Sequence, residues 1–210
     1  MSFLDVLFPK VCFGCGKEGV YLCPDCLQKE KIVNQNYSRR NTPYLDGQIS
    51  LFRYRGGVRK AILALKYNFA SDIAKELGGH VAKTLKSRDF FKGKKIIIPI
   101  PVYKNRANWR GFNQAEEIAR SLGEVLEWEV RKDILIKVRP TAPQTGLSGK
   151  QRIENLKGSF DVNPGVSISL FRNIILFDDV WTTGSTLNEA GKVLKENGVK
   201  KVWGIAFAKG

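Results

Sequence analysis

Apolar residues recur at helical spacing along much of the chain, and short continuous apolar runs separate these stretches. Val58, Ile62 and Leu65, followed by Ile73, Leu77, Val81 and Leu85, predict two helices broken near Asn68. Residues 96–100 have no polar interruption and predict a buried strand. Asn113 with Glu116 three residues on forms a capping box ahead of Ile118, Ala119, Leu122, Val125 and Leu126, which make one apolar helical face. A strand follows at 134–138, a second continuous apolar strand at 174–177, a helix at 187–197 closed by Gly198, and a terminal strand at 199–208. Strands alternating with helices predict an α/β fold, a mostly parallel sheet with helices on both faces. Two stretches fall outside this pattern. Residues 32–50, with Asn34, Asn36, Asn41, Pro43 and Gly47, read as a turn-rich connector. Residues 139–158 are polar and basic without periodicity, and loops of that length inside a compact domain are usually functional or mobile.

Charge adds a partner class. The 210 residues carry 35 Lys and Arg against 20 Asp and Glu, a net charge of +15 and a pI near 9.8. Such an excess favours nucleic acid, anionic lipid or phosphorylated small molecules without choosing among them. No apolar run approaches the roughly 20 residues of a bilayer-spanning helix, since Pro99 and Pro101 interrupt the longest. The N-terminal MSFLDVLFPK lacks a basic n-region and a cleavage site, so a cytoplasmic protein is expected, or one peripheral to the inner membrane through partners.

All four cysteines lie near the N-terminus, as Cys12 and Cys15 in CFGC and Cys23 and Cys26 in CPDC, seven residues apart. Two thiolates spaced in this way bend around one tetrahedral ion, and two such knuckles complete a closed structural Zn2+ site. Disulfides or a redox motif are the alternatives, and both fit a reducing compartment less well. A closed site has no open coordination position, so its role is to fold a segment too small to hold itself together. The organisation expected is a four-cysteine module over 1–35 and a main domain over 36–210. The module either braces the main domain or presents Lys10, Lys17, Lys29 and Lys31 to an anionic partner.

The segment IILFDDVWTTGST, residues 174–186, holds most of the chemistry. An apolar strand ends in Asp178 and Asp179, and a loop of small hydroxyl residues leads directly into a helix. Amides at a helix N-terminus, with Thr182, Thr183, Ser185 and Thr186 as side-chain donors and Gly184 allowing close approach, suit a phosphate. The two acids suit vicinal hydroxyls, so the set fits a ribose 5-phosphate beyond the carboxyl end of a strand. No Lys follows the glycine in the order of a Walker loop.

This segment resembles the phosphoribosyl pyrophosphate signature of type I phosphoribosyltransferases. The whole chain resembles the ComF (ComFC) group of competence proteins, through the cysteine knuckles, IPIPVYKNRANWRGFNQAEEIA at 98–119 and VRPTAPQTGLSGKQRIENLKGSF at 138–160. The resemblance implies a type I phosphoribosyltransferase-like domain in which Asp178 and Asp179 hold the ribose hydroxyls as catalytic residues. Val180, Thr182, Thr183, Gly184, Ser185 and Thr186 complete the phosphoribosyl pyrophosphate site. It makes RGFNQA, with Arg110 and Gly111, the pyrophosphate loop, and Arg106, Arg139, Lys150 and Arg152 further pyrophosphate contacts. Mg2+ would bridge pyrophosphate and ribose oxygens while keeping several waters. LKY, starting at Leu65, also recurs in the group.

Two functions follow. ComF proteins are associated with DNA uptake in natural transformation, which implies single-stranded DNA and proteins of the uptake machinery as partners. The alternative is an active phosphoribosyltransferase that moves the phosphoribosyl group onto an unidentified acceptor. Single strands bind to cationic tracks with stacking rings, and Arg53, Arg55, Arg59, Lys104 and Trp109 are candidates beside Phe52, Tyr54, Lys60 and Tyr103. Core packing, or a hood over the ligand, is the competing use of these rings. Trp181 either packs under the phosphate loop or lines an acceptor pocket. The single histidine, His80, lies among apolar neighbours and reads as structural or surface, so no nucleophilic triad is expected.

Overall fold

The computed structural model describes residues 9–32, 42–65, 70–86, 95–103, 112–142, 147–168 and 171–210. Its centre is a parallel five-stranded sheet of β1 (Gly47–Arg53), β2 (Ile96–Pro99), β3 (Glu129–Val130), β6 (Asn173–Trp181) and β7 (Lys201–Lys209), in the order β1-β7-β6-β2-β3. Strand alternation divides the core. Ile97, Ile175, Phe177, Ile205 and Phe207 face one side, where they meet helices α2 (Gly56–Ala64), α3 (Ala70–Lys86) and α4 (Gln114–Leu126). Ile98, Ile174, Leu176, Val202 and Ala206 face the other, where they meet α6 (Ser185–Glu196) through Leu187, Ala190 and Leu194. Burying each such side chain stabilises the fold by about 1.5–3 kcal/mol, which explains why β6 and β7 read as unbroken apolar runs. The expected parallel sheet with helices on both faces is what the chain forms.

The structure corrects several local expectations. Part of the 32–50 connector is β1, an edge strand pairing in parallel with β7 from Gly47 opposite Trp203 to Arg53 opposite Lys209. Its polar Gln48 and Ser50 alternate with buried Ile49 and Leu51, a half-buried pattern that the flanking turn residues obscured. The strand expected at 134–138 is β4 (Leu135–Lys137), which leaves the main sheet and pairs antiparallel with β5 (Phe160–Val162). The stretch without periodicity contains α5 (Gly149–Leu156), capped by a Ser148/Gln151 box. It lacks an apolar stripe because Leu156 is its only buried residue. Asn113 does cap α4, accepting from the Ala115 N–H, but Glu116 does not complete a box, since it pairs with Lys132 at 2.8 Å.

The cysteine module, with its short helix α1 (Pro24–Glu30), packs against β1, α2 and α3. No residue of α1 is fully buried, and only half-buried Cys26 and Leu27 pack against the main core, so hydrophobic contact holds it weakly. Leu22 is buried in the main core, and the Ile32 N–H donates to the Leu51 carbonyl at 3.0 Å. Among the described residues, no helix is long and apolar enough to cross a membrane.

Candidate functional site

The helices after β2 and β6 leave on opposite faces of the sheet, α4 on one and α6 on the other. The connections that leave the carboxyl ends of these paired strands therefore diverge, and the crevice between such connections is the place where open α/β sheets take ligands. Asp178 and Asp179 stand at the end of β6. Asp178 Oδ1 accepts from the Asp179 N–H at 2.9 Å, and Asp179 Oδ1 from the Val180 N–H at 2.7 Å. Burial pushes the Asp178 carboxyl well above the usual carboxylate range, and the Asp179 charge adds to the rise while Lys137 opposes it. Lys137 reaches this point because β4 and β5 pack on the α6 face. On the other side, burial pushes the Tyr54 hydroxyl up, with Arg59 opposing and Asp179 reinforcing the shift.

The loop after β6 has the expected shape. Gly184 is the N-cap of α6, with φ of 80° and no side chain to cap the helix, and the Ser185 N–H donates to the Thr183 hydroxyl at 3.4 Å. The Thr183 and Ser185 hydroxyls are 2.6 Å apart. Trp181 packs beneath the loop so closely that a Cβ on Gly184 would lie 2.2 Å from its ring. Glycine is therefore required at 184 by both its backbone and this contact.

Other expected contacts have varied placements. Lys104, Arg106, Trp109, Arg110 and Gly111 lie outside the described residues. Arg139 donates to the carbonyls of Asn155 and Lys157, so its guanidinium caps the end of α5. Lys150 is exposed on α5, and Arg152 is half-buried there with no hydrogen-bond partner for Nε among the described residues. Arg53, Arg55 and Arg59 are exposed at the β1–α2 corner, with Arg55 paired to Glu30 at 2.6 Å.

The cysteine module is a second centre. The ligand atoms of Cys12, Cys15, Cys23 and Cys26 all lie within 4.8 Å of one another, and the Cys15 and Cys23 sulfurs are 3.6 Å apart. Tetrahedral Zn2+ with bonds of about 2.3 Å needs sulfurs roughly 3.8 Å apart, so the set fits that ion. Burial resists ionisation of Cys12, yet N–H groups of Cys23, Cys15 and Gly14 bring its thiol down to about 6. Burial and the other three thiols push Cys26 up to about 12. Gly14 is required here, since a Cβ would lie 2.5 Å from the Cys26 sulfur.

Two polar side chains of α3 dock this module, a pair that the sequence reading did not connect with the cysteines. Glu76 on α3 accepts from the Tyr21 N–H at 3.0 Å and the Leu22 N–H at 2.6 Å. His80, one turn along, lies 3.1 Å from the Leu22 carbonyl and 3.7 Å from Glu76. The signal was two polar residues at i and i+4 beside the buried stripe of Ile73, Leu77 and Val81. Burial depresses His80 below its ordinary 6.5, with Lys83 in the same direction and Glu76 opposing. The unfolded chain therefore takes up a proton first, and stability falls as pH drops below about 6.5 towards the folded value. His80→Gln, which does not titrate, is expected to flatten that part of the melting-temperature profile; an unchanged slope would assign the acid sensitivity elsewhere.

Comparison with known proteins agrees with this geometry. Residues 109–209 match the phosphoribosyl transferase domain family. Competence protein F of Haemophilus influenzae is 32% identical over 94% of this chain and 84% of its own length. The DNA utilization protein YhgH of Escherichia coli O157:H7 is 27% identical, over 91% of this chain and 86% of that protein. Competence protein ComFC of Bacillus subtilis is 29% identical, over 94% and 76%. With paired acids and a hydroxyl loop at the sheet's crevice, four clustered thiols at its flank and this extent of shared sequence, the chain belongs to the ComF family of competence proteins, built on a phosphoribosyl transferase domain.

Proposed function

We propose that this protein binds phosphoribosyl pyrophosphate with Mg2+ in the crevice between β2 and β6 and handles single-stranded DNA during DNA uptake. The observation that carries the first part is the acid pair and the uncapped hydroxyl loop on one strand end, at the point where the helices diverge. Asp178 and Asp179 accept from the ribose hydroxyls, and the loop from Thr182 to Thr186 receives the 5-phosphate. Mg2+, held by ligand oxygens and water beside the acids, would offset the charge of the pyrophosphate. The Zn2+ of the four cysteines is structural.

The DNA part is supported by the position of the cations and by the names of the relatives. Arg53, Arg59 and Lys60 are exposed at the β1–α2 corner, and the backbone bridge of Lys31 to Phe52 brings the basic end of the cysteine module alongside. This corner adjoins Tyr54 and therefore the acids. Calorimetric titration with phosphoribosyl pyrophosphate and Mg2+, repeated with a single-stranded oligonucleotide bound, tests the reading. Saturable ligand binding is expected, together with oligonucleotide affinity that falls linearly with log salt. Arg59→Ala should lower the salt slope by about 0.7, the share of one phosphate contact on a single strand. Absence of ligand binding would remove the first part, and a flat salt response the second. Release of pyrophosphate on adding an acceptor would establish the transferase instead.

A further inference from the structure

The cationic corner and the phosphate loop come from distant parts of the chain and end side by side. Arg53, at the end of β1, and Trp181, at the end of β6, both pair with Lys209 on the intervening β7. Neighbouring strands lie about 4.8 Å apart, so roughly 10 Å separates the backbone of the corner from that of the loop. The pairing continues past the strand ends. The Tyr54 N–H donates to the Lys209 carbonyl at 2.7 Å, and the Gly210 N–H to the Trp181 carbonyl at 2.8 Å. Gly210 then stands between Tyr54 and the loop, since a Cβ built on it would meet the Tyr54 ring and the Thr182 methyl at 3.8 Å each.

The cations on these strand ends fall into two groups. Lys209 lines the same cavity as Thr182, Thr183 and Ser185, so its ammonium serves the phosphate loop. Arg53, Arg59 and Lys60 are exposed at the β1–α2 corner. The groups are not insulated from one another, because Arg59 and Asp179 both act on the Tyr54 hydroxyl, in opposite directions. Charges on bound ligands at this spacing are screened only in part, since the screening length is about 10 Å at 0.1 M salt. Phosphoribosyl pyrophosphate stays anionic with Mg2+ bound, as one divalent ion offsets only part of the charge of three phosphoryl groups. A single strand brings a further negative charge with every phosphate.

We infer that phosphoribosyl pyrophosphate and single-stranded DNA bind this protein antagonistically, the loaded phosphate loop driving a strand from the β1–α2 corner by charge repulsion. This rests on the proposed function and adds the sign and the cause of the relation between its two sites. No movement of the fold is required. Linkage is reciprocal, so a bound strand weakens phosphoribosyl pyrophosphate by the same factor. The ligand-free protein holds a strand, and the loaded protein passes it on.

The test is the affinity of a fluorescent oligo(dT) for the full, zinc-loaded chain in Mg2+, with and without saturating phosphoribosyl pyrophosphate at matched ionic strength. At about 0.1 M salt the ligand should weaken the strand about threefold to tenfold, to a limit that further ligand does not exceed. At about 0.3 M, where the screening length is roughly 6 Å, the factor should fall towards one. Calorimetry of phosphoribosyl pyrophosphate into the strand-bound protein should return the same factor. A variant carrying both Arg53→Ala and Arg59→Ala should bind the strand more weakly and lose most of the antagonism.

The inference is overturned by strand affinity that is unchanged or tighter with ligand, or by a factor as large at the higher salt, which would mean a change of shape. Antagonism intact in the double variant would overturn it by placing the strand elsewhere. Displacement that grows without limit as ligand is added would overturn it by putting both in the phosphate loop. Each ligand is titrated alone first. Failure of either to bind alone removes that part of the proposed function and this inference with it, whereas two ligands that bind and ignore one another remove the inference only.

Discussion

Asp178→Asn is expected to make the ligand-free protein more stable at neutral pH and to weaken phosphoribosyl pyrophosphate binding by about tenfold to a hundredfold. The two effects have one cause. Burial and the neighbouring Asp179 raise the Asp178 carboxyl well above 3.8, so the folded chain holds this proton more tightly than the unfolded chain. The favourable contribution is fully present below about 3.8 and is lost as pH rises towards the folded value. At neutral pH the shift opposes folding, because the carboxyl of the unfolded chain has already released its proton while burial disfavours the charge in the folded one. Asparagine keeps the oxygen that accepts the Asp179 N–H at 2.9 Å and removes the charge.

The gain should appear in scanning calorimetry as about 2–4 °C for each kcal/mol relieved in a chain of this size. It should vanish in acid, where Asp178 is protonated in both states. The loss of affinity follows because a charged acceptor of a ribose hydroxyl is worth roughly 1.5–3 kcal/mol. Stability held back at a functional group is a common trade. A variant that melted lower than the parent and bound the ligand normally would make Asp178 a structural residue.

The layers of this fold were legible because burial on both faces of the sheet leaves unbroken apolar runs. Residues 96–100 and 174–177 showed themselves as strands, and the stripe from Ile73 to Leu85 as a helix. β1 was not legible, since an edge strand with Gln48 and Ser50 on its half-buried face resembles a loop until β7 completes it. α5 was hidden for a related reason. A helix that buries Leu156 alone carries no periodic signal, and only the Ser148 and Gln151 spacing announced it.

The same distinction holds at the sites. Cys12, Cys15, Cys23 and Cys26 are neighbours in sequence and could be read together, as could the acids and the hydroxyl loop. Lys137, Tyr54, Glu76 and His80 come to their places by tertiary packing, from elements that local spacing does not connect. Arg139 shows the converse: a cation in an expected binding segment, with its guanidinium directed at the carboxyl end of α5, a helix that begins ten residues further along the chain.

Removal of metal from the four cysteines is expected to affect more than the module that contains them. α1 has no fully buried residue and reaches the core only through half-buried Cys26 and Leu27, so without an ion the knuckles have little to hold their shape. Cys23→Ser, or exhaustive chelation, should then release Leu22 from the core and leave Glu76 without the two N–H groups it accepts. Loss of a structural metal belongs with the largest single-site effects, about 4 kcal/mol or more, so a fall of roughly 8 °C or more in melting temperature is expected at 2–4 °C per kcal/mol.

The disturbance should spread to the β1–α2 corner. Gly57 lies against Gly14 of the first knuckle, where a Cβ would come within 3.0 Å of its backbone, and Arg55 pairs with Glu30. That corner carries Tyr54 and Arg59 beside Asp179, so metal loss should also weaken phosphoribosyl pyrophosphate binding. Glu76→Gln separates the two roles, because it retains all four thiols and loses the charge that clamps the second knuckle. It should keep one equivalent of zinc and melt between the parent and the metal-free protein. Full stability and ligand affinity after complete metal removal would reduce the module to an independent appendage. A graded loss across the three forms would make it the brace that sets one wall of the ligand site.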